Sequence, residues 1–362
     1  MRVVILSVAD IRHMTPSSVY KKYFETRGIE YDVICCDRYN ANKSKRNHFF
    51  FKWNGDLSMS KKRKIIQYLK FRNFAKRIII KNNYDFIVVW NENTAALFSD
   101  FLLFKYKNKY CVNLRDEFQQ QKILKKIIFK SLDYSVFITK PTPEWFFGYD
   151  KKTFCLYNKD STLASSFHKK TSFRENDKPI RLTHLGFYSK AKKASIELSD
   201  KFGNDTRYEL FFYGQGFDTE LRSYIEKKGY TNIYTFGAFP YEDTAKILEN
   251  TDVINSYYND FSHPSLRLSF GIKHSYTPML YIPGLADEDT CWGRMSKDYN
   301  LAYLVNSNNI KTLPDDLYKW YRSMNYEDFC SRCNQFNQII DDSQTVLYKK
   351  LDKALKIHED KT

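Results

Sequence analysis

Val3-Val4-Ile5-Leu6-Ser7-Val8 is a short apolar run ending in a polar loop, and Tyr31-Asp32-Val33-Ile34-Cys35-Cys36 is a second such run. Between them, residues from about Ser17 to Arg27 read as helix. Continuous apolar strands joined through a helix indicate a parallel sheet, because such strands are buried on both faces. The pattern recurs at Phe86-Ile87-Val88-Val89-Trp90 and Tyr110-Cys111-Val112-Asn113-Leu114, with Tyr134-Ser135-Val136-Phe137-Ile138 as a fifth candidate. Strands alternating with helices predict a doubly wound α/β domain that binds ligands at the carboxyl ends of its strands.

Beyond this series the chain changes character. Residues 151–178 are rich in Lys, Ser, Thr and Asn around one apolar run, Thr153-Phe154-Cys155-Leu156-Tyr157, and read as a connection between domains. A second α/β series follows. Its strands are expected at Arg181-Leu182-Thr183-His184-Leu185-Gly186, Tyr208-Glu209-Leu210-Phe211-Phe212-Tyr213-Gly214, Asn232-Ile233-Tyr234-Thr235-Phe236-Gly237 and Asp252-Val253-Ile254-Asn255-Ser256. Helices are expected near 193–203, 217–228 and 242–250, and from Pro314 to the end. Three strands here end in glycine, at Gly186, Gly214 and Gly237, which suits tight turns at a ligand-bearing sheet edge. The expected division is 1–165, 166–340 and a terminal helix, 341–362, packing back toward the first domain.

A length of 362 residues agrees with two separate cores. Seven scattered cysteines read as reduced thiols, and Cys330-Ser331-Arg332-Cys333 lacks the further ligands of a zinc site. With no apolar run of spanning length and no secretory leader, the expectation is a cytoplasmic protein. The net charge of +16 is uneven: residues 1–150 hold 28 Lys/Arg against 14 Asp/Glu, and residues 151–362 hold 30 against 28. Residues 43–81 carry 13 basic side chains and a single acid, Asp56, interleaved with aromatics. Within them Lys61-Lys62-Arg63-Lys64 open a basic amphipathic helix suited to an anionic membrane surface; an ordinary domain helix with a solvated basic side is the other reading.

Several segments occur in an order that resembles a known family. These are Cys111-Val112-Asn113-Leu114-Arg115-Asp116-Glu117, Leu156-Tyr157-Asn158-Lys159-Asp160, Leu185-Gly186-Phe187-Tyr188-Ser189-Lys190-Ala191-Lys192-Lys193, Tyr213-Gly214-Gln215-Gly216 and Phe236-Gly237. The last is Pro264-Ser265-Leu266-Arg267-Leu268-Ser269-Phe270-Gly271-Ile272-Lys273 with Thr277-Pro278. Together they resemble the family 4-like GT-B glycosyltransferases of bacterial surface-polysaccharide synthesis (capsule, O-antigen, exopolysaccharide). The chain departs from that pattern where Phe187 replaces the phosphate-loop arginine and where the donor-helix glutamates are missing, with Ser269 in place of the second and Asp260 one residue out of register with the first.

The resemblance implies an α/β GT-B fold: two Rossmann-like doubly wound domains facing a central cleft, with a helical C-terminus. It implies a metal-independent hexosyltransferase that needs no cofactor and takes a UDP- or GDP-linked sugar. The acceptor would be a lipid-diphosphate-linked or polymeric glycan at the inner face of the cell membrane, with no nucleic-acid partner. Donor contacts would come from Gly186, Tyr188, Lys190, Lys192, Tyr213, Gly214, Gly237, His263, Ser265, Leu266, Arg267 and Ser269. Lys190 and Lys192, just before a helix starting near Lys193, and Ser265 and Arg267, at the start of the helix after Pro264, would neutralise the leaving diphosphate. If the reaction inverts, Asp116 is the candidate base beside Arg115 and Glu117; as a loop carboxylate paired with Arg115 it would have no such role. Arg12 and His13 would meet an acceptor phosphate, unless Ser17 and its neighbours simply cap a helix. A non-catalytic GT-B homologue and a basic nucleic-acid-binding protein are the competing classes.

Overall fold

The computed structural model describes residues 1–11, 14–38, 46–53, 59–115, 136–138, 153–159, 166–260 and 264–357. The chain forms two compact units, one of Met1–Tyr157 with Asp342–Thr362 and one of Asn158–Asp341.

In the first unit β1 (Arg2–Asp10), β2 (Glu30–Asp37), β3 (His48–Lys52), β4 (Phe86–Trp90), β5 (Tyr110–Leu114), β6 (Val136–Ile138) and β7 (Thr153–Cys155) form one sheet. Its order is β3-β2-β1-β4-β5-β6-β7, parallel throughout. The chain winds outward from β1 to β3, then crosses to β4, so the topological switch point lies between β1 and β4. Helices α1 (Ser18–Thr26), α2 (Lys61–Asn82), α3 (Glu92–Leu97) and α4 (Ser99–Lys105) belong to this unit. Val3, Ile5, Val33 and Val88 meet Tyr20, Tyr23 and Phe24 of α1 in the core. Two strands were not anticipated. β3 lies inside the cationic aromatic stretch, where only half-burial on an edge strand distinguishes it. β7 falls in the segment read as a connection and pairs with β6 over three residues, too few for a period to show.

The second unit contains β8 (Ile180–Leu185), α5 (Tyr188–Phe202), β9 (Tyr208–Tyr213), α6 (Arg222–Lys228), β10 (Ile233–Phe236), α7 (Thr244–Glu249) and β11 (Val253–Ser256). It continues through α8 (Pro264–Leu268), α9 (Ile272–Leu280), β12 (Gly284–Asp287), α10 (Cys291–Tyr299), β13 (Ala302–Val305) and α11 (Leu313–Ser323). The parallel sheet runs β10-β9-β8-β11-β12-β13, with its switch point between β8 and β11. One face buries Ile180, Leu182, Leu210 and Phe212 against Leu198 and Phe202 of α5 and Leu313 and Leu317 of α11. The other carries Leu185 and Ile254 against Leu248 of α7 and Tyr276 and Leu280 of α9. The last helix, α12 (Tyr326–Leu355), passes from one unit into the other. Phe336 packs on Trp292 and Phe270 in the second unit. Leu347, Leu351 and Leu355 join the first unit's core, where Asp352 accepts hydrogen bonds from Tyr23 (2.7 Å) and Arg27 (2.9 Å).

One local expectation is corrected, and two features go beyond the sequence reading. α5 begins at Tyr188, so Lys190 and Lys192 lie within its first turns and not before it. Pro278 sits inside α9, and the helix ends at Tyr281, whose φ of 58° precedes Ile282-Pro283. β12 and β13 complete the sheet beyond β11, and neither was anticipated.

Candidate functional site

At the carboxyl edge of the second unit's sheet, three strand-end glycines come together. The Gly186 N–H donates to the Tyr213 carbonyl (3.0 Å), and the Gly214 N–H lies 3.3 and 3.1 Å from the carbonyls of Phe236 and Gly237. Gly214 has φ +136°, and a Cβ there would stand 1.7 Å from the Gly186 carbonyl oxygen. Only glycine permits that approach. A Cβ on Gly237 would stand 2.5 Å from the Asp218 carboxylate. The result is an edge built of backbone rather than side chains, beside the switch point where open α/β sheets take ligands.

Around it lies a buried polar group that sequence reading missed. His184, at the end of β8, is enclosed by Phe212, Phe217 and Tyr258, and neither ring nitrogen has a hydrogen-bond partner among the described residues. Burial, helped by the Lys273 charge, holds it neutral, well below the ordinary histidine range. Lys273, in the first turn of α9, places Nζ 3.3 Å from the Asn255 carbonyl and 4.4 Å from the centre of the Tyr258 ring. Burial lowers its pKa to about 7, opposed by the Asp287 charge. Asp287, at the end of β12, accepts the backbone N–H groups of Tyr258 (2.8 Å) and Asn259 (3.1 Å), while burial raises its pKa to about 6. Glu197 accepts from the Tyr257 hydroxyl (2.8 Å) and the Asn259 amide (2.6 Å), so the loop after β11 is held from two sides. Lys273 lay within a quoted motif, but nothing in the sequence tells which side of α9 turns inward.

The other expected donor contacts are more dispersed. Tyr188 is buried against Phe217, its hydroxyl unpartnered among the described residues, and its N–H donates to the Gln215 carbonyl (3.1 Å). Lys190 is exposed on α5, and Lys192 pairs with Glu220 at the surface. Arg267 is exposed while Leu266 and Ser269 are partly buried. α8 has only five residues, too short for the aligned dipoles on which an anion site at its start was expected to draw. His263 lies outside the described residues, as do the side chain of Ser265 and the whole of Arg12, His13, Asp116 and Glu117.

Tyr213 stacks on Phe236 (4.4 Å between centres, 7° between planes) and Phe211 on Tyr234 (5.0 Å, 22°). Beside these pairs runs a groove of about 620 Å³, lined also by Arg181, Thr183, Asp243 and Lys246.

In the first unit, Arg115 follows β5. Its N–H donates to buried Glu92 (3.1 Å) and its guanidinium lies 4.7 Å from the centre of the Trp90 ring. Asp10, fully buried at the end of β1, accepts the Arg38 N–H (3.0 Å), and Arg38 stacks on Trp53. These groups share the carboxyl edge of this sheet; Arg115 was a candidate from the sequence, whereas Asp10, Arg38 and Glu92 were given no role there. Lys61, Lys62 and Arg63 are exposed and Lys64 is half-buried at the start of α2. Among the described residues no helix is long and apolar enough to cross a membrane, and no cluster of three His, Cys, Asp or Glu side chains could hold a metal ion.

No protein-family description and no curated protein matches the chain by sequence. Solved structures do match by shape. Sucrose-phosphate synthase from Thermosynechococcus elongatus superposes with a TM-score of 0.71 at 12% identity, covering 98% of this chain and 100% of the other. A glycosyltransferase from Rickettsia africae gives 0.70 at 13%, covering 99% of each. Anabaena HepE, solved with UDP, gives 0.65 at 11%, covering 98% and 100%. UDP-GlcNAc 2-epimerases match as well. With two parallel Rossmann-like sheets and a helical C-terminus, the chain has the α/β GT-B fold.

Proposed function

We propose that the protein is a glycosyltransferase that takes a sugar from a UDP- or GDP-linked donor, without a metal, and passes it to a lipid-linked or polymeric glycan in cell-surface polysaccharide synthesis. The observation that supports this most is the backbone edge at Gly186, Gly214 and Gly237, where the Gly214 approach leaves no room for a side chain. Such an edge at a switch point lets a nucleotide approach main-chain groups directly. The diphosphate is neutralised by Lys190 and Arg267 from the surface and by Lys273 from below, since Phe187 replaces the usual arginine and Lys192 is engaged by Glu220. The first unit takes the acceptor near Arg115, with Asp116 as the base if configuration inverts.

Incubating the protein with UDP- and GDP-sugars in EDTA, and following nucleoside diphosphate release, tests the reading. Release above the buffer rate supports it. Conversion of a UDP-sugar to its C2 epimer would instead assign the epimerase chemistry found on the same fold. Neither release nor conversion, with no stabilisation by any of UDP, GDP, TDP or CMP, overturns nucleotide-sugar chemistry altogether.

A further inference from the structure

Helix α2 turns a mixed cationic and apolar face to solvent. Its inward stripe is Gln67, Phe71, Ala75 and Ile79, each four residues from the next and all buried. The opposite side exposes Ile65 (57%), Ile66 (51%), Leu69 (48%) and Ile80 (51%). Lys61, Lys62, Arg63, Lys70, Arg77 and Lys81 share the exposed surface, and the helix has no acidic residue. α4 continues this surface. Phe98 meets Phe71, Asp100 pairs with Arg72 and Lys76, and Phe101 lies under Lys76, so the two helices advance side by side. That course carries Phe104, 87% exposed and followed by exposed Lys105, Lys107 and Lys109, toward the Ile80 end of α2.

We infer that the α2–α4 face docks on an anionic lipid bilayer, with Ile65, Ile66, Leu69, Ile80 and Phe104 entering the acyl boundary and the surrounding cations meeting the headgroups. Charge complementarity alone suits any polyanion. The aliphatic side chains decide for a bilayer, because a nucleic acid gives them nothing to enter, while an interfacial helix needs apolar insertion and cations together. Helices α2 and α4 carry one acid between them, Asp100, and it is already paired with Arg72 and Lys76. The inference is independent of the nucleotide reading, since it uses none of the second unit's residues.

Co-sedimentation of the full chain with vesicles of phosphatidylcholine, or of phosphatidylcholine with phosphatidylglycerol, tests it. Binding to the anionic vesicles only is expected. Ile65→Ser/Ile66→Ser/Leu69→Ser, which leaves the charge intact, weakens it at least about tenfold. Lys61→Gln/Lys62→Gln/Arg63→Gln weakens it about a hundredfold, at roughly fivefold per cation. All six positions are water-exposed or nearly so, and circular dichroism checks that the fold persists; Phe104→Ser, on the other helix, repeats the apolar arm should either triple variant unfold. Three results overturn the proposal: no binding to either vesicle, equal binding to both, or wild-type binding by the apolar variants with displacement by heparin, which would make the face a general polyanion site.

Discussion

Lys273 is a buried ammonium at the carboxyl edge of the second unit's sheet. An unfolded lysine titrates near about 10.4, whereas burial brings this one to about 7. Between those values the unfolded chain holds one more proton than the folded chain, so this residue makes stability rise with pH across that window. Lys273→Met removes the dependence. Urea unfolding of both proteins is therefore expected to show wild type gaining on the variant by on the order of 2 kcal/mol from about pH 7 to about pH 9. A difference that does not change with pH would mean the ammonium is solvated. His184 and Asp287 illustrate why this group was not legible: each looks like an ordinary strand-end residue, and only the folding of β8, β11, β12 and α9 onto one edge brings them near Lys273. The strand-end glycines were legible, because a glycine after an apolar run has few other reasons to be there.

At the scale of elements, β8 and β9 are coupled through the Gly186–Gly214 contact. Gly214→Ala combines a strained φ with a Cβ inside the van der Waals radius of a carbonyl oxygen, and should cost about 3 kcal/mol or more. Gly229→Ala is the matched control: φ is +68° but nothing lies within 4 Å, so about 1 kcal/mol is expected. Thermal unfolding of the two variants measures the contrast, and equal losses would show that the contact between the loops can relax. Strands with continuous apolar runs were read correctly from sequence, Phe86–Trp90 and Tyr110–Leu114 to the residue. β12 was not, because Gly284-Leu285-Ala286-Asp287 is short and low in β-branched residues, and its identity comes from pairing with β11 and β13. The start of α5 was placed too late because its first turn, Tyr188-Ser189-Lys190, has neither a capping side chain nor an acid to announce it.

On the scale of the whole molecule, the two sheets repeat one winding, and α12 ties the chain's end into the first unit through Leu347, Leu351, Leu355 and Asp352. The duplication was visible in the sequence as two α/β series, and the charge asymmetry was visible as arithmetic. What the composition left open was the location of the cations, which the fold sets on the outward side of α2 and α4 beside exposed aliphatics. The second unit, nearly neutral, carries the backbone edge assigned to the nucleotide. Hydrogen exchange followed by mass spectrometry, with UDP or GDP added in EDTA, tests that assignment most directly. The account predicts slowed exchange in residues 184–188, 213–217 and 236–239 with at least one of the two nucleotides. Slowing confined to the first unit, or none with either nucleotide, would contradict it.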